Sequence, residues 1–144
     1  MLSSTAEYAL RAVLYLAEHP HRQPVRAGEL ASSLRVPPNY LAKVLHQLAR
    51  RGVLRSSRGR NGGFELALPP EQLTLFKVVA GFDRLGGRKR CLLGRRRCTA
   101  GQPCAAHRRW RGVAEQIVGF FRQTTLQDLL ATSNEAEIPS GRTV

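Results

Sequence analysis

Residues 36–52 read Val36-Pro37-Pro38-Asn39-Tyr40-Leu41-Ala42-Lys43-Val44-Leu45-His46-Gln47-Leu48-Ala49-Arg50-Arg51-Gly52, and residues 58–68 continue Arg58-Gly59-Arg60-Asn61-Gly62-Gly63-Phe64-Glu65-Leu66-Ala67-Leu68. The paired prolines force an extended turn and then suit the first turn of a helix. Leu41, Val44, Leu45 and Leu48 recur at helical spacing, and Gly52 fits the position just past a helix end. A helix from Pro38 to about Arg51 is therefore expected, with Asn39, Tyr40, Lys43, His46, Gln47 and Arg50 on its polar face. Val53-Leu54-Arg55-Ser56 and Phe64 to Leu68 then alternate as strands around a glycine-rich turn with two arginines. A polar, basic helix followed by such a hairpin has the layout of a recognition helix and wing, the pair that meets a DNA major groove and its flank.

The flanking sequence completes that fold. Ser4-Thr5-Ala6-Glu7 reads as a capping box, opening a first helix to about His19 with Ala6, Leu10, Val13, Leu14 and Ala17 inward. A second short helix over Ala27 to Leu34 turns Leu30, Ala31 and Leu34 to the core and forms the first half of the helix–turn–helix. Thr74 caps a short helix through Phe82. Leu85 to Gly101 has no clean period and reads as a loop. Pro103 opens a long helix to about Arg122, with a stripe of Trp110, Val113, Ile117 and Phe120 or Phe121, and Thr125 caps a closing helix over Leu126 to Leu130. The expected class is mainly α, a winged helix–turn–helix with a two-stranded wing and a long C-terminal dimerisation helix. The expected divisions are 1–82 for DNA binding, 83–102 for a cysteine loop, 103–131 for the dimerisation and closing helices, and 132–144 for a disordered tail. The long helix exceeds what a winged-helix core needs, and a two-fold partner is the common cover for its apolar stripe, so a homodimer is expected.

Charge agrees with a polyanionic partner. The 144-residue chain carries a formal net charge of +13. No acid lies between Glu29 and Glu65, where Arg35, Lys43, Arg50, Arg51, Arg55, Arg58 and Arg60 stand, and none lies between Asp83 and Glu115 against ten Lys and Arg. Such windows mark surfaces that face nucleic acid. No run of about 18 apolar residues indicates a membrane span. Glu7, Arg11 and Glu18 argue against a signal peptide, so a cytoplasmic location is expected. No nucleophile–base pair, phosphate-cradling loop or paired carboxylates support an enzyme.

The three cysteines, Cys91, Cys98 and Cys104, all lie in one short segment. An odd number of thiols fits metal binding better than a disulfide framework, and soft thiolates select iron–sulfur clusters or zinc. Clusters usually take four thiolates, so a fourth ligand must come from elsewhere. His107 lies three residues after Cys104, a spacing that shares a helical face. The run Cys-x6-Cys-x5-Cys-x2-His is also superficially that of a three-cysteine, one-histidine zinc site that binds RNA. Arg95, Arg96 and Arg97 would lower thiol pKa values and offset an anionic cluster.

These residues together resemble one family. Arg58-Gly59…Gly62-Gly63-Phe64-Glu65-Leu66-Ala67, Glu7-Tyr8-Ala9-Leu10-Arg11, Pro38-Asn39-Tyr40-Leu41-Ala42-Lys43-Val44-Leu45, and Cys91…Cys98…Cys104-x-x-His107-x-x-Trp110 resemble motifs of the bacterial winged-helix transcriptional regulators. That family includes the iron–sulfur cluster regulator IscR and the nitric-oxide sensor NsrR. The likeness extends over residues 1–131. It implies a homodimeric repressor, bound as a dimer to a palindromic double-stranded operator and sensing redox state, nitric oxide or iron–sulfur status. The implied cofactor is an iron–sulfur cluster, with a 2Fe–2S type ahead of a 4Fe–4S type. It also implies that Cys91, Cys98 and Cys104 hold the cluster, with His107 or the rival Glu7 as the fourth ligand, and that Arg58 reaches a minor groove. Arg60 is read as a phosphate contact, and Asn39, Tyr40, Lys43 and Arg50 as the contact set of the recognition helix. Six residues separate Cys91 from Cys98, one more than the common family spacing. The alternatives are a cluster-free or zinc-binding winged-helix regulator acting through thiols, a protein partner or RNA.

Overall fold

A computed structural model describes residues 2–85 and 91–133. Helix α1 spans Ser4–Glu18, α2 Ala27–Leu34 and α3 Pro38–Arg50; strands β1 Leu54–Ser57 and β2 Gly63–Leu66 follow, then α4 Leu75–Val79, α5 His107–Gln123 and α6 Leu126–Ser133. The two strands pair antiparallel, with Leu54 opposite Leu66 and Ser57 opposite Gly63. The expected winged helix–turn–helix is present.

Helix α1 is the central element. Its buried residues are Ala6, Ala9, Ala12, Val13, Leu16 and Ala17. Ala6, Val13 and Ala17 are inward as expected, Leu10 and Leu14 are only half-buried, and Ala9, Ala12 and Leu16 complete the face. Four of the six buried residues are alanines, whose small side chains allow neighbouring helices to approach closely. The cap also differs. Ser3, not Ser4, is the N-cap, with Oγ accepting from the Ala6 N–H at 3.2 Å. Glu7 consequently stands one position deeper than a capping box requires, and its exposed side chain makes no hydrogen bond or ion pair among the described residues.

Helices α2 and α3 follow expectation closely. Leu30, Ala31 and Leu34 of α2 and Leu41, Val44, Leu45 and Leu48 of α3 are buried, joining Val53, Leu54, Phe64, Leu73, Leu75, Val78 and Val79 in one core. Arg35 ends α2 in the left-handed region (φ 55), and Gly52 follows α3 with φ 76. The hairpin gains a third backbone partner. Val25 N–H donates to Phe64 O at 2.9 Å and Phe64 N–H to Val25 O at 2.8 Å.

Helix α4 ends at Val79, earlier than expected, and Phe82 is half-buried in the turn beyond it. Helix α5 begins at His107, not Pro103, because a turn with the His107 N–H on Cys104 O (3.1 Å) intervenes. Of α5 only Phe121 is buried; Ile117 packs partly on the core. Helix α6 is capped by Thr125, whose N–H and hydroxyl both donate to Asp128 Oδ2 (2.8 and 2.9 Å). It runs through Ser133, two residues into the stretch read as a tail; the rest of that tail, and residues 86–90 of the cysteine loop, lie outside the described residues. No helix among the described residues is long and apolar enough to cross a membrane.

Candidate functional site

Two sites emerge, one basic and convex, one thiol-rich and concave. On α3 the exposed residues Asn39, Lys43, His46 and Arg50 succeed one another at helical spacing and form an outward stripe. Gln47, read as part of that polar face, instead turns inward and donates from Nε2 to Gly81 O at 2.9 Å. Tyr40 is 39 % exposed, and its hydroxyl pairs with that of Thr5 on α1. Arg58 and Arg60 are exposed at the wing tip, where Gly59 (φ 98) and the Gly62 N–H to Gly59 O bond (3.1 Å) shape the turn.

The wing is anchored rather than free. A Cβ on Gly63 would lie 2.6 Å from the carbonyl carbon and oxygen of Val25, so only glycine admits this approach. Arg26 Nη2 donates to Arg60 O at 2.5 Å, and Arg55 Nε lies 3.6 Å from Glu65 Oε1 across the strands. Arg26 stands outside the recognition-helix and wing motifs. The signal was available: Arg22 and Arg26 extend the basic run on the N-terminal side of Glu29. Between α3 and β1 a recess of about 570 Å³ is lined by His46, Ala49, Arg50, Leu54, Arg55 and Ser56. The ring of His46 meets the Phe64 ring edge-on at 5.2 Å, joining recognition helix to wing.

The second site lies in the loop before α5. Cys91, Cys98 and Cys104 are half-buried, and their sulfurs all lie within 4.8 Å of one another. Cys91 Sγ is 3.5 Å from Cys104 Sγ, and Cys98 Sγ is 3.1 Å from His107 Nδ1. His107 thus meets Cys98 rather than Cys104. The expected shared helical face does not form, since Cys104 precedes α5. Glu7 is not among the side chains gathered here. A recess of about 840 Å³, lined by the three cysteines, His107, Trp110 and Arg95 to Arg97 among others, surrounds the sulfurs.

The thiols are not equivalent. Cys91 is pulled down to about 7 from 9.0, first by a backbone hydrogen bond from Arg95 and then by the Cys104 thiol, against some burial. Cys98 is raised: a backbone hydrogen bond at Cys104 lowers it, but burial and the adjoining Cys104 and Cys91 thiols outweigh that. A low-pKa thiol beside two others and an imidazole is a soft donor set. Three sulfurs and one nitrogen fit either an iron–sulfur cluster or a tetrahedral zinc ion.

Comparison with known proteins places the chain in a family of transcriptional regulators. Residues 2–132 match the model of the Rrf2 family, described as an iron-dependent transcriptional regulator. A protein of Aquifex aeolicus (strain VF5), assigned as an HTH-type transcriptional regulator, is 36 % identical over 99 % of each chain. The HTH-type transcriptional regulator IscR of Serratia proteamaculans (strain 568) is 30 % identical over 90 % of this chain and 78 % of its own. Among solved structures, T. potens IscR superposes with a TM-score of 0.74 at 23 % identity, covering 98 % of this chain and 93 % of that one. CymR, the global cysteine regulator of B. subtilis, gives 0.75 at 21 % identity, covering 91 % and 96 %. These likenesses show the winged-helix fold, and the relatives are regulators rather than enzymes. A basic recognition helix, an anchored wing and a match over nearly the whole chain lead to one conclusion: the protein belongs to the Rrf2 family of DNA-binding transcriptional regulators.

Proposed function

We propose that this chain is a homodimeric repressor that binds a palindromic operator and senses redox state, nitric oxide or iron–sulfur status through a cysteine-ligated iron–sulfur cluster. The single observation that carries the reading is the gathering of three thiols within 4.8 Å, with His107 Nδ1 3.1 Å from one of them. Cys91, Cys98 and Cys104 would hold the cluster. His107 is the favoured fourth ligand, because Glu7 could take part only from a partner chain or after rearrangement. When bound, the cluster supplies iron that changes oxidation state or takes an exogenous ligand.

The chain's own part is to carry that state to DNA. The loop leads directly into α5, whose Ile117 and Phe121 rest on the core. Thr124 O accepts from the Leu75 N–H of α4 at 2.9 Å. On the DNA side, Asn39, Lys43 and Arg50 contact the major groove and its phosphates, Arg58 enters a minor groove and Arg60 meets a phosphate. Val113 and Phe120 are 46 % and 53 % exposed on α5, and Leu92 and Leu93 are 57 % and 60 % exposed beside the thiols. This unpartnered apolar surface supports a second copy as its cover.

Anaerobically purified protein is expected to be brown and to contain iron and acid-labile sulfide, with the colour lost in Cys91→Ala, Cys98→Ala and Cys104→Ala. His107→Ala should alter the spectrum; an unaltered spectrum there with an altered one in Glu7→Ala moves the fourth ligand to Glu7. One observation favours a zinc reading. Around one tetrahedral ion at about 2.3 Å the sulfurs stand about 3.8 Å apart, and all three sulfurs here lie within 4.8 Å of one another, as ligands of a single ion would. Colourless protein with stoichiometric zinc would establish that reading and refute the cluster.

A further inference from the structure

Tyr40 lies in the first turn of the recognition helix, between Asn39 and Lys43, where a side chain is expected to read DNA. Its contacts lead elsewhere. The phenol hydroxyl pairs with the Thr5 hydroxyl of α1, and the ring meets Tyr8 of α1 edge-on, with centroids 5.7 Å apart and planes at 82°. The Arg11 guanidinium stands 5.8 Å from the other partner ring, Tyr8. Arg11 Nη2 then donates to Leu34 O, the last residue of α2, at 2.7 Å. Thr5, Tyr8 and Arg11 therefore occupy one side of α1 at helical spacing, and they hold both helices of the helix–turn–helix: α2 by its final carbonyl, α3 by its first turn.

We propose that Tyr40 is a positioning residue rather than a DNA-reading one, and that Thr5 and Tyr8 form the bracket that sets the entry angle of the recognition helix. Three features support this. The buried face of α3 is aliphatic and packs without directional bonds, whereas a hydroxyl pair and an edge-on ring contact have direction. The bracket acts at the N-terminal end of α3, the end whose residues meet base edges in helix–turn–helix proteins. The far end is fixed separately, by Gln47 Nε2 on Gly81 O at 2.9 Å. Base-edge hydrogen bonds need the helix placed within a fraction of an ångström, while phosphate contacts tolerate more. The bracket should therefore govern sequence-specific binding more than total affinity.

The test uses the full-length protein and a duplex enriched from a random-sequence pool by the wild type, which establishes DNA binding before any variant is compared. Thr5→Val, Tyr40→Phe and the double variant are titrated against that duplex and a scrambled one, with thermal melts of each. Each single variant is expected to weaken the selected duplex by about 3- to 10-fold, the equivalent of one net hydrogen bond. The double variant should be no weaker than the worse single variant, the scrambled duplex should bind unchanged, and the melting temperatures should stay within about 3 °C. A loss in Tyr40→Phe that Thr5→Val does not share assigns the hydroxyl to DNA and overturns the proposal. Losses that multiply in the double variant, or equal losses on both duplexes, or no loss at all, overturn it too.

Discussion

Replacing Gly63 by alanine should detach the wing from the body of the protein. The added Cβ would sit 2.6 Å from both the carbonyl carbon and oxygen of Val25 and 3.0 Å from Arg26 N, and these are backbone atoms that cannot swing aside. The strand would have to retreat, and the two Val25–Phe64 hydrogen bonds (2.9 and 2.8 Å) would be lost or stretched. Two net backbone bonds contribute about 1–3 kcal/mol together. The φ of +151° at Gly63 adds strain of about 1 kcal/mol for any residue with a Cβ. A loss of about 2–4 kcal/mol corresponds to a fall in melting temperature of about 6–14 °C for a domain of this size. The control is Gly59→Ala, at φ +98° with nothing within 4 Å of its Cβ, which isolates the backbone cost and should lower the melting temperature by about half as much or less. Thermal unfolding by circular dichroism reads both, and DNA titration reads the displaced Arg58 and Arg60. A Gly63→Ala protein that melts within about 2 °C of the wild type would refute the argument that the wing is locked by this approach.

Three further outcomes follow from the same geometry. Arg58→Ala and Arg60→Ala should each weaken DNA binding, and for a phosphate contact the slope of log affinity against log salt should fall by about 1 per arginine; a flat salt response would instead favour docking to a protein. Asp128 is held below the usual carboxylate range by the Thr125 backbone N–H and hydroxyl, so its contribution is present above the unfolded pKa and lost as pH falls through the folded one. Asp128→Ala should therefore melt lower than the wild type at pH 7, with the gap narrowing below about pH 4, and a gap that is constant with pH would contradict this. Phe120→Asp should shift the protein to a monomer in analytical ultracentrifugation if α5 is the dimer surface, and an unchanged mass would place that surface elsewhere.

The parts of the fold marked by local punctuation were legible. Pro38 and Gly52 bound α3 to within a residue because proline and glycine act through their own backbone restrictions. The start of α1 was off by one because Ser3 and Ser4 are both able to cap, and only tertiary placement chooses; Ser3 also has its N–H on Asp83 Oδ2 at 2.8 Å. Helical spacing placed Ala6, Val13 and Ala17 on the inward face of α1, but it does not separate Leu10 and Leu14, at the edge of that face, from Ala9, Ala12 and Leu16 within it. The Val25 pairing with Phe64 had no periodic signature, being a single non-local bridge. At the thiol site, residue type alone pointed to soft-metal chemistry. Which sulfur meets His107 depends on the path of an irregular loop, and spacing along the chain carries no information on that.

If the thiol loop moves, helix α5 would act as a lever with unequal arms. Its 17 residues make a rod about 25 Å long, resting on the core near Ile117. From there about 15 Å reaches forward to His107 and about 6 Å back to Phe121. A displacement of about 2 Å among the sulfurs would thus arrive at Phe121 as less than about 1 Å, with the force multiplied by about 2.5. The backbone bonds from Leu75 N–H to Thr124 O and from Leu126 N–H to Leu73 O, both 2.9 Å, tie the turn between α5 and α6 to the start of α4 and to Leu73 before it. Such a lever would trade distance for force, which would suit the proposed signal if it moves a packed core by a small step.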